Sequence, residues 1–269
     1  MKKILTILSA FMLILATTSC SDSNSGKGGG QAKRTVTMLN HIVNTSTGDV
    51  IVSSSDVDYV FDRDNMTVDV TVRFSVDGKN DISYQFKDLA MTEKSGVYSV
   101  KGTTTGISAM NGHLDFNEGT IRFNYTTSDG YRVISTSPEL YSLSAGTSIT
   151  YADGTADAKQ APMYQFDVDP ETMTCTVRMM SFLDKSRSRT ITSITSTVKA
   201  PVTATAEGYK IEASELASKT IYTLNGQSTT TTQYPFADLK VTFDMENDVF
   251  NATFSAGDLD VTASGAVSN

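Results

Sequence analysis

The stretch YVFDRDNMTVDVTVRF, residues 59–74, decides the fold class of this chain. Apolar and polar side chains alternate strictly over residues 66–76, which is the pattern of a β-strand with one dry and one wet face. A shorter alternation ends at Asp62, and the segment between the two, rich in Asp and Asn, is typical of a chain reversal. The stretch therefore predicts a β-hairpin with a loop of four or five residues.

The alternation also predicts the register of this hairpin. If Phe61 pairs with Val68, then Tyr59 lies opposite Val70, and the apolar side chains of both strands share one face. Ordering the hairpin costs about 24 kcal/mol, at about 1.5 kcal/mol per residue. About six buried apolar side chains contribute only ~9–18 kcal/mol. A single hairpin is therefore unstable, and its apolar face needs a second layer.

The same pattern recurs along the chain. It returns 105 positions later as YQFDVDPETMTCTVRM, residues 164–179. A third version, FDMENDVFNATF at 243–254, aligns without gaps to residues 61–72, and LDFNEGTIRFNYT at 114–126 has a similar strand–turn–strand texture. The copies keep the alternation and the turn residues, so they predict an all-β, hairpin-rich antiparallel barrel or sandwich built from two related halves.

The spacing of the copies also divides the chain. Carrying the 105-residue offset backwards gives two β units, residues 32–136 and 137–269, which could pack as one domain. The second unit is longer because it contains Thr- and Ser-rich segments, RTITSITSTVKAPVTATAEG at 189–208 and QSTTTTQYPF at 227–236. We expect these segments to form additional exposed strands or loops.

The first nineteen residues have the composition of a secretory signal peptide. Lys2 and Lys3 precede an apolar run from Ile4 to Ala16, which small polar residues then close. The run would make a helix of about 20 Å, too short for a bilayer core of about 30 Å. We therefore expect residues 1–19 to be removed on export.

A small residue, Ser19, precedes Cys20 at the expected cleavage site, and residues 20–31 are rich in Ser, Asn and Gly. They contain too few apolar side chains to fold, so we expect a flexible tether. In its signal, Ser19–Cys20 junction, tether and hairpin-rich domain, the chain resembles uncharacterised lipoproteins of the Bacteroides group with calycin-like (lipocalin-like) β domains. The resemblance implies cleavage between Ser19 and Cys20 and acyl chains on Cys20. It also implies attachment to the outer membrane, on the periplasmic face or at the cell surface.

The resemblance further implies a barrel or sandwich that binds a small apolar or amphipathic molecule and is not an enzyme. Such a barrel must be hollow, with a cavity above about 300 Å³ lined by residues such as Val68 and Val70. The alternative is an adhesion or interaction module whose strand edges or Thr-rich segments bind a protein or glycan. In that case, deleting residues 227–233 should abolish binding and leave the fold intact. The sequence leaves the oligomeric state open.

The chain shows no pattern of catalytic residues and no cofactor motif. His41 and His113 are its only histidines, neither stands near Cys or carboxylates at metal-ligand spacing, and we expect both at the surface or rim. The repeat aligns Cys175 with Val70, so we expect an inert thiol in the core. If Cys20 carries lipid, Cys175 has no disulfide partner.

Acidic residues recur at the hairpin corners: Asp62 and Asp64, Asp167 and Asp169, and Asp244 and Glu246. Such carboxylates could hold Ca²⁺, but the spacing of an EF-hand loop is absent. An Asp that caps its own turn accounts for the pattern, so we predict no metal site. Without its signal the chain has 20 Lys and Arg against 30 Asp and Glu, a net charge of −10. That charge argues against binding nucleic acid.

Overall fold

A computed structural model describes residues 31–62, 64–76, 79–115, 120–143 and 145–267, with the backbone alone at 31, 32, 79–81 and 120. The predicted signal peptide, its cleavage at Ser19 and the lipid site at Cys20 lie outside these residues. All secondary structure in the described part is β, in 21 strands with antiparallel pairing. Among the same residues, no helix has the length and apolar character needed to span a membrane.

The first eight strands close into a barrel in chain order. They are β1 (Gln31–Asn44), β2 (Val50–Asp62), β3 (Thr67–Val76), β4 (Lys79–Lys94), β5 (Val97–Thr104), β6 (Ile107–Asp115), β7 (Thr120–Thr127) and β8 (Tyr131–Thr136). β8 pairs back onto β1, with Ile42 opposite Val133. Closure leaves the barrel without a free sheet edge.

The other thirteen strands form one curled sheet that does not close. They are β9 (Glu139–Ser142), β10 (Gly146–Thr150), β11 (Ala156–Gln160), β12 (Met163–Asp169), β13 (Thr174–Asp184), β14 (Arg189–Ser196), β15 (Ala200–Ala204), β16 (Gly208–Leu216), β17 (Ser218–Leu224), β18 (Gln227–Thr231), β19 (Phe236–Asp244), β20 (Val249–Ala256) and β21 (Leu259–Ala266). The order is β11-β10-β21-β20-β19-β16-β15-β13-β14-β17-β18, with β12 on β13 and β9 on β12. Among the described strands, β9, β11 and β18 are therefore edges.

The curl brings the apolar face of β12 against β19 and β20. The ring of Phe166 lies 5.1 Å from that of Phe243, and the ring of Tyr164 lies 5.1 Å from that of Phe250. All four side chains are buried. This aromatic layer is the core of the second half, and it supplies the second layer that a lone hairpin lacks.

The hairpin at residues 59–74 has the predicted register. Phe61 pairs with Val68 and Tyr59 with Val70, and all four side chains are buried. Asp62 pairs with Thr67, so the loop has four residues. The copy at residues 164–179 is also a buried hairpin, β12–β13. The all-β fold with two related halves is thus confirmed.

The structure corrects the alignment of the two copies. In the second hairpin Asp169 pairs with Thr174, as Asp62 pairs with Thr67, so equivalent positions lie 107 residues apart and not 105. Cys175 therefore corresponds to Val68. The shift is two residues, which keeps every side chain on its original face of the strand. Cys175 is accordingly buried, as predicted.

The hairpin loops share one backbone conformation. The last of the four loop residues is left-handed in three copies: Met66 (φ 51°), Met173 (φ 48°) and Asp248 (φ 58°). The Asp at the start of each loop accepts a backbone N–H three residues later, over 3.0 Å for Asp62, 3.2 Å for Asp169 and 2.9 Å for Asp244. These carboxylates cap their own turns, which explains the recurring acidic corners.

Buried side chains pack closely in the interior of the barrel. Val68, Val70 and Phe123 are fully buried there. Gly112 marks how closely the interior is packed, because a Cβ at this position would lie 2.6 Å from the ring of Phe123 and 2.7 Å from Val100. Inward side chains of an eight-stranded barrel can occupy its whole interior.

Candidate functional site

The described residues contain no group of three or more His, Cys, Asp or Glu side chains that could hold a metal ion. The thiol of Cys175 is also far from reactive. Burial raises the pKa of Cys175 to about 12, so the thiol stays protonated at neutral pH.

The two histidines differ in environment. His113 lies on the exposed face of β6, but His41 is buried between the two halves. Its Nε2–H donates to the carbonyl oxygen of Thr205 over 2.7 Å, and its ring meets the ring of Tyr209 edge-on at 5.3 Å. The prediction of a surface His41 is therefore wrong, because the second half covers the outer face of β1.

Apolar and ionic contacts together form the junction between the halves. Leu39 and Ile134 point out of the barrel into the core of the second half. Arg132 forms an ion pair with Glu246 at 2.6 Å, and it also donates to the carbonyl of Ala206 over 2.8 Å. A second barrel arginine, Arg122, pairs with Asp248 in the same β19–β20 loop. In this hairpin, the acidic residues of the β19–β20 loop therefore form ion pairs with two arginines of the barrel.

The junction should make stability depend on pH through His41. Burial lowers the pKa of His41 below its usual 6.5, and the charge of Arg132 lowers it further, whereas the hydrogen bond to Thr205 and the charge of Glu207 oppose the shift. Tyr209 faces the ring as an uncharged neighbour. The unfolded chain therefore binds the proton more tightly than the folded chain does. The free energy of unfolding should therefore be highest above about pH 6.5 and should decrease as the pH falls from there through the lowered pKa of His41 in the folded state.

Urea unfolding between about pH 7.5 and about pH 5 tests this expectation. Wild type should lose more free energy of unfolding over that range than His41→Gln, whose amide can still donate to Thr205 but cannot titrate. His113→Gln, on an exposed strand face, serves as the matched control and should follow wild type. Identical pH profiles for wild type and His41→Gln would contradict the assignment.

Two shallow clefts lie on the surface of the described residues. One, of about 260 Å³, lies at the junction and includes Leu39, Pro138 and Glu171. The other, of about 510 Å³, lies outside β16 and β19 and includes Lys210 and Asn251. Neither cleft is lined by Val68 or Val70, the residues that the sequence analysis expected to line a ligand cavity.

The strand β18 is an open sheet edge. It pairs only with β17, and four of its five residues are exposed, Thr231 being half-buried. The turn is Asn225-Gly226 with φ angles of 52° and 78°, as in a type I′ hairpin. Leu224 and Gln227 close this two-residue turn as a hydrogen-bonded pair. Along an antiparallel ladder, hydrogen-bonded and non-hydrogen-bonded pairs alternate. Ser228 and Thr230 are in non-hydrogen-bonded pairs, so their backbone N–H and C=O groups point away from β17.

The other edges carry features that discourage strand addition. β11 contains the charged residues Asp157 and Lys159, and its pairing with β10 shifts register between Thr147 and Ile149. β9 has only four residues. β18, in contrast, is neutral, regularly paired and free of proline. Among the described strands it is thus the edge best suited to accept another strand.

The residues after β18 anchor the second half. The hydroxyl of Tyr234 donates to the buried Asp184 over 2.6 Å, and the Tyr234 carbonyl accepts from the Ser218 hydroxyl over 2.5 Å. The far end of β17 lies about 20 Å from Ser218, at 3.3 Å per residue. Deleting residues 227–233 would join that far end to Tyr234 and pull it from its site. We therefore expect the deletion to disturb the fold as well as the edge, and a single substitution tests the edge alone.

No protein-family model matches this chain, and no curated protein matches it. Among solved structures, the crystal structure of the isotype 1 transferrin binding protein B from serogroup B Neisseria meningitidis matches over 90% of this chain and 77% of that one. The two are 9% identical, with a TM-score of 0.25. A likeness at that score establishes neither a common fold nor a common function.

Proposed function

We propose that this chain is a non-enzymatic lipoprotein of the cell envelope that binds another polypeptide by accepting a strand at β18. The observation that carries the proposal is the neutral, regular edge on which Ser228 and Thr230 turn their backbone groups outward. Strand addition satisfies such groups with main-chain hydrogen bonds, and side chains on the added strand supply specificity.

The chemistry of the edge favours a polypeptide over a glycan. Sugars bind to open aromatic faces. The ring of Tyr222, which pairs with Thr229 on this edge, carries the guanidinium of Arg189 at 4.4 Å from its centre, so that face is occupied. Four outward backbone groups, each forming a hydrogen bond worth about 0.5–1.5 kcal/mol net, would contribute about 2–6 kcal/mol to binding. The partner's side chains must supply the rest, which is typical of strand addition.

Substitution of Thr230 by proline tests the edge directly. Proline removes an N–H that points away from β17, so the hairpin should persist while an added strand loses a donor and meets the ring. Random peptides of about ten residues displayed on phage are selected on the immobilised full chain, and their affinities are measured by calorimetry. We expect Thr230→Pro to bind the selected peptides about tenfold more weakly than wild type, because one main-chain bond and its neighbours are lost.

The matched control is Thr230→Val, which keeps the N–H and the β-branched shape. It should bind the selected peptides like wild type, and all three proteins should have similar circular dichroism spectra. Equal affinity of the proline and valine variants for every selected peptide, or no peptide selected at all, would overturn the proposal.

We also propose that Cys20 carries acyl chains that hold the protein at the outer membrane, on the periplasmic face or the cell surface. Two or more chains, at about 0.8 kcal/mol per buried methylene, make a lasting anchor. Wild type should sediment with membranes, and Cys20→Ser should be soluble. Cys175→Ser removes the buried thiol instead and should still sediment. Sedimentation of Cys20→Ser with membranes would refute lipid attachment at this residue.

A further inference from the structure

The charges around the open edge differ from those of the whole chain. Residues 189–206 and 218–237 contain no Asp or Glu, although the full sequence has 30 acidic residues. These stretches include β14, β17 and β18, the last three strands of the curled sheet. The edge is therefore locally basic on an acidic protein.

One uncompensated cation lies on the face of Tyr222. The guanidinium of Arg189 covers this ring and donates to the amide oxygen of Gln233 over 3.1 Å. Among the described residues it forms no ion pair with a carboxylate. Tyr222 pairs with Thr229, so Arg189 extends from β14 toward the open edge on this face.

A second cation lies on the opposite face. Lys219 is exposed on β17, on the same side as Ile221, which is 36% exposed and pairs with Thr230. The described ion pairs do not include Lys219, whereas Lys185 and Arg187, in the β13–β14 loop, pair with Asp157 and Asp258. Each face of the edge thus presents a positive charge without a matching carboxylate.

We propose that the strand accepted by β18 is acidic, with Asp or Glu side chains on both of its faces. The inference rests on the proposed function and specifies its partner. Neighbouring strands lie about 4.8 Å apart, so β17 lies about 10 Å from the strand added beyond β18. The guanidinium of Arg189, which lies above β17, and the backbone of Lys219 are therefore both about 10 Å from the added strand. The basic side chains reach toward the added strand, and its Asp and Glu side chains reach back toward β17. The distance left between the opposite charges is within the Debye length of about 8 Å.

The same charges disfavour a second copy of this chain as the occupant. Pairing β18 with β18 of another molecule would bring two copies of Arg189 and two of Lys219 to one interface. Like charges placed together oppose association. An acidic segment of a different polypeptide supplies the opposite sign instead.

The displayed peptides described above test this inference. Peptides that bind wild type and Thr230→Val but not Thr230→Pro should carry an excess of Asp and Glu. Changing these acids to Asn and Gln in the best peptide should weaken binding about fivefold at low salt, and the difference should shrink as salt rises. Lys219→Gln, which alters an exposed side chain, should reduce the difference in affinity between the acidic peptide and its amide version without lowering the melting temperature. Arg189→Gln should also reduce this difference in affinity, on the other face of the edge.

The possible outcomes separate the two proposals. If no peptide distinguishes Thr230→Pro from Thr230→Val, strand addition at β18 is refuted, and this inference is refuted with it. If such peptides exist without an excess of acids, or bind equally after acid-to-amide exchange, only the acidic partner is refuted. Dimers of the free chain that Thr230→Pro dissociates would also refute it, because the occupant would then be a second copy.

Discussion

Replacing Phe250 by alanine is expected to lower the free energy of unfolding by about 3–5 kcal/mol. Phe250 is fully buried, and its ring lies 5.1 Å from Tyr164, 5.3 Å from Phe243 and 6.1 Å from Phe166. It thus links β12 to β19 and β20 across the curl. Alanine leaves a cavity and removes ring contacts worth about 0.5–1.5 kcal/mol each.

The neighbouring Val249 provides the control, because it lies on the same strand but is 38% exposed. Val249→Ala should change stability by less than about 0.5 kcal/mol. Urea unfolding followed by tyrosine fluorescence measures both variants. A loss below about 1 kcal/mol for Phe250→Ala would show that the aromatic layer does not hold the second half together.

Replacing Asp184 by asparagine should lower stability by about 2–4 kcal/mol, since it disturbs a buried charged network. The side chain of Asp184 is fully buried at the start of the β13–β14 loop. Its carboxylate accepts hydrogen bonds from the hydroxyls of Tyr234 and Ser186, each over 2.6 Å, and from Arg187 over 3.3 Å. An amide offers one oxygen acceptor fewer, so at least one of these donors loses its partner.

Asp258→Asn is the matched control for this prediction. Asp258 accepts hydrogen bonds from the same Arg187, over 2.6 and 2.8 Å, but its side chain is 43% exposed. A partly exposed ion pair contributes less than about 1 kcal/mol, so this variant should be much milder. Equal losses in the two variants would mean that burial of the carboxylate is not what makes Asp184 important.

The hairpins follow from the sequence because their determinants are local. Alternation fixes which side chains share a face, and an Asp at the start of a four-residue loop fixes the turn, so the pairing of Phe61 with Val68 could be predicted. The same signal could have revealed a hairpin that the repeat comparison missed. Asp184 pairs with Arg189 across a four-residue loop that ends at Ser188, whose φ is 52°.

The candidate site was only partly predictable. The Thr- and Ser-rich composition indicated an exposed segment at 227–236, and β18 lies there. Its position at the end of the sheet could not be deduced, because β14 and β17 become neighbours across more than twenty residues of intervening chain. The unmatched charges of Arg189 and Lys219 have meaning only beside that edge.

By itself the sequence determined an all-β chain of repeated hairpins, their inward faces and their Asp-capped turns, since each depends on residues a few positions apart. Only the tertiary structure decided that one half closes into a barrel while the other stays open, and that the second half buries His41 against Thr205. The physical reason is that alternation marks one face of a strand as dry, yet it does not specify what covers the other face. Sheet order, closure and burial at the junction depend on the sum of contacts between distant segments, and no short pattern encodes that sum.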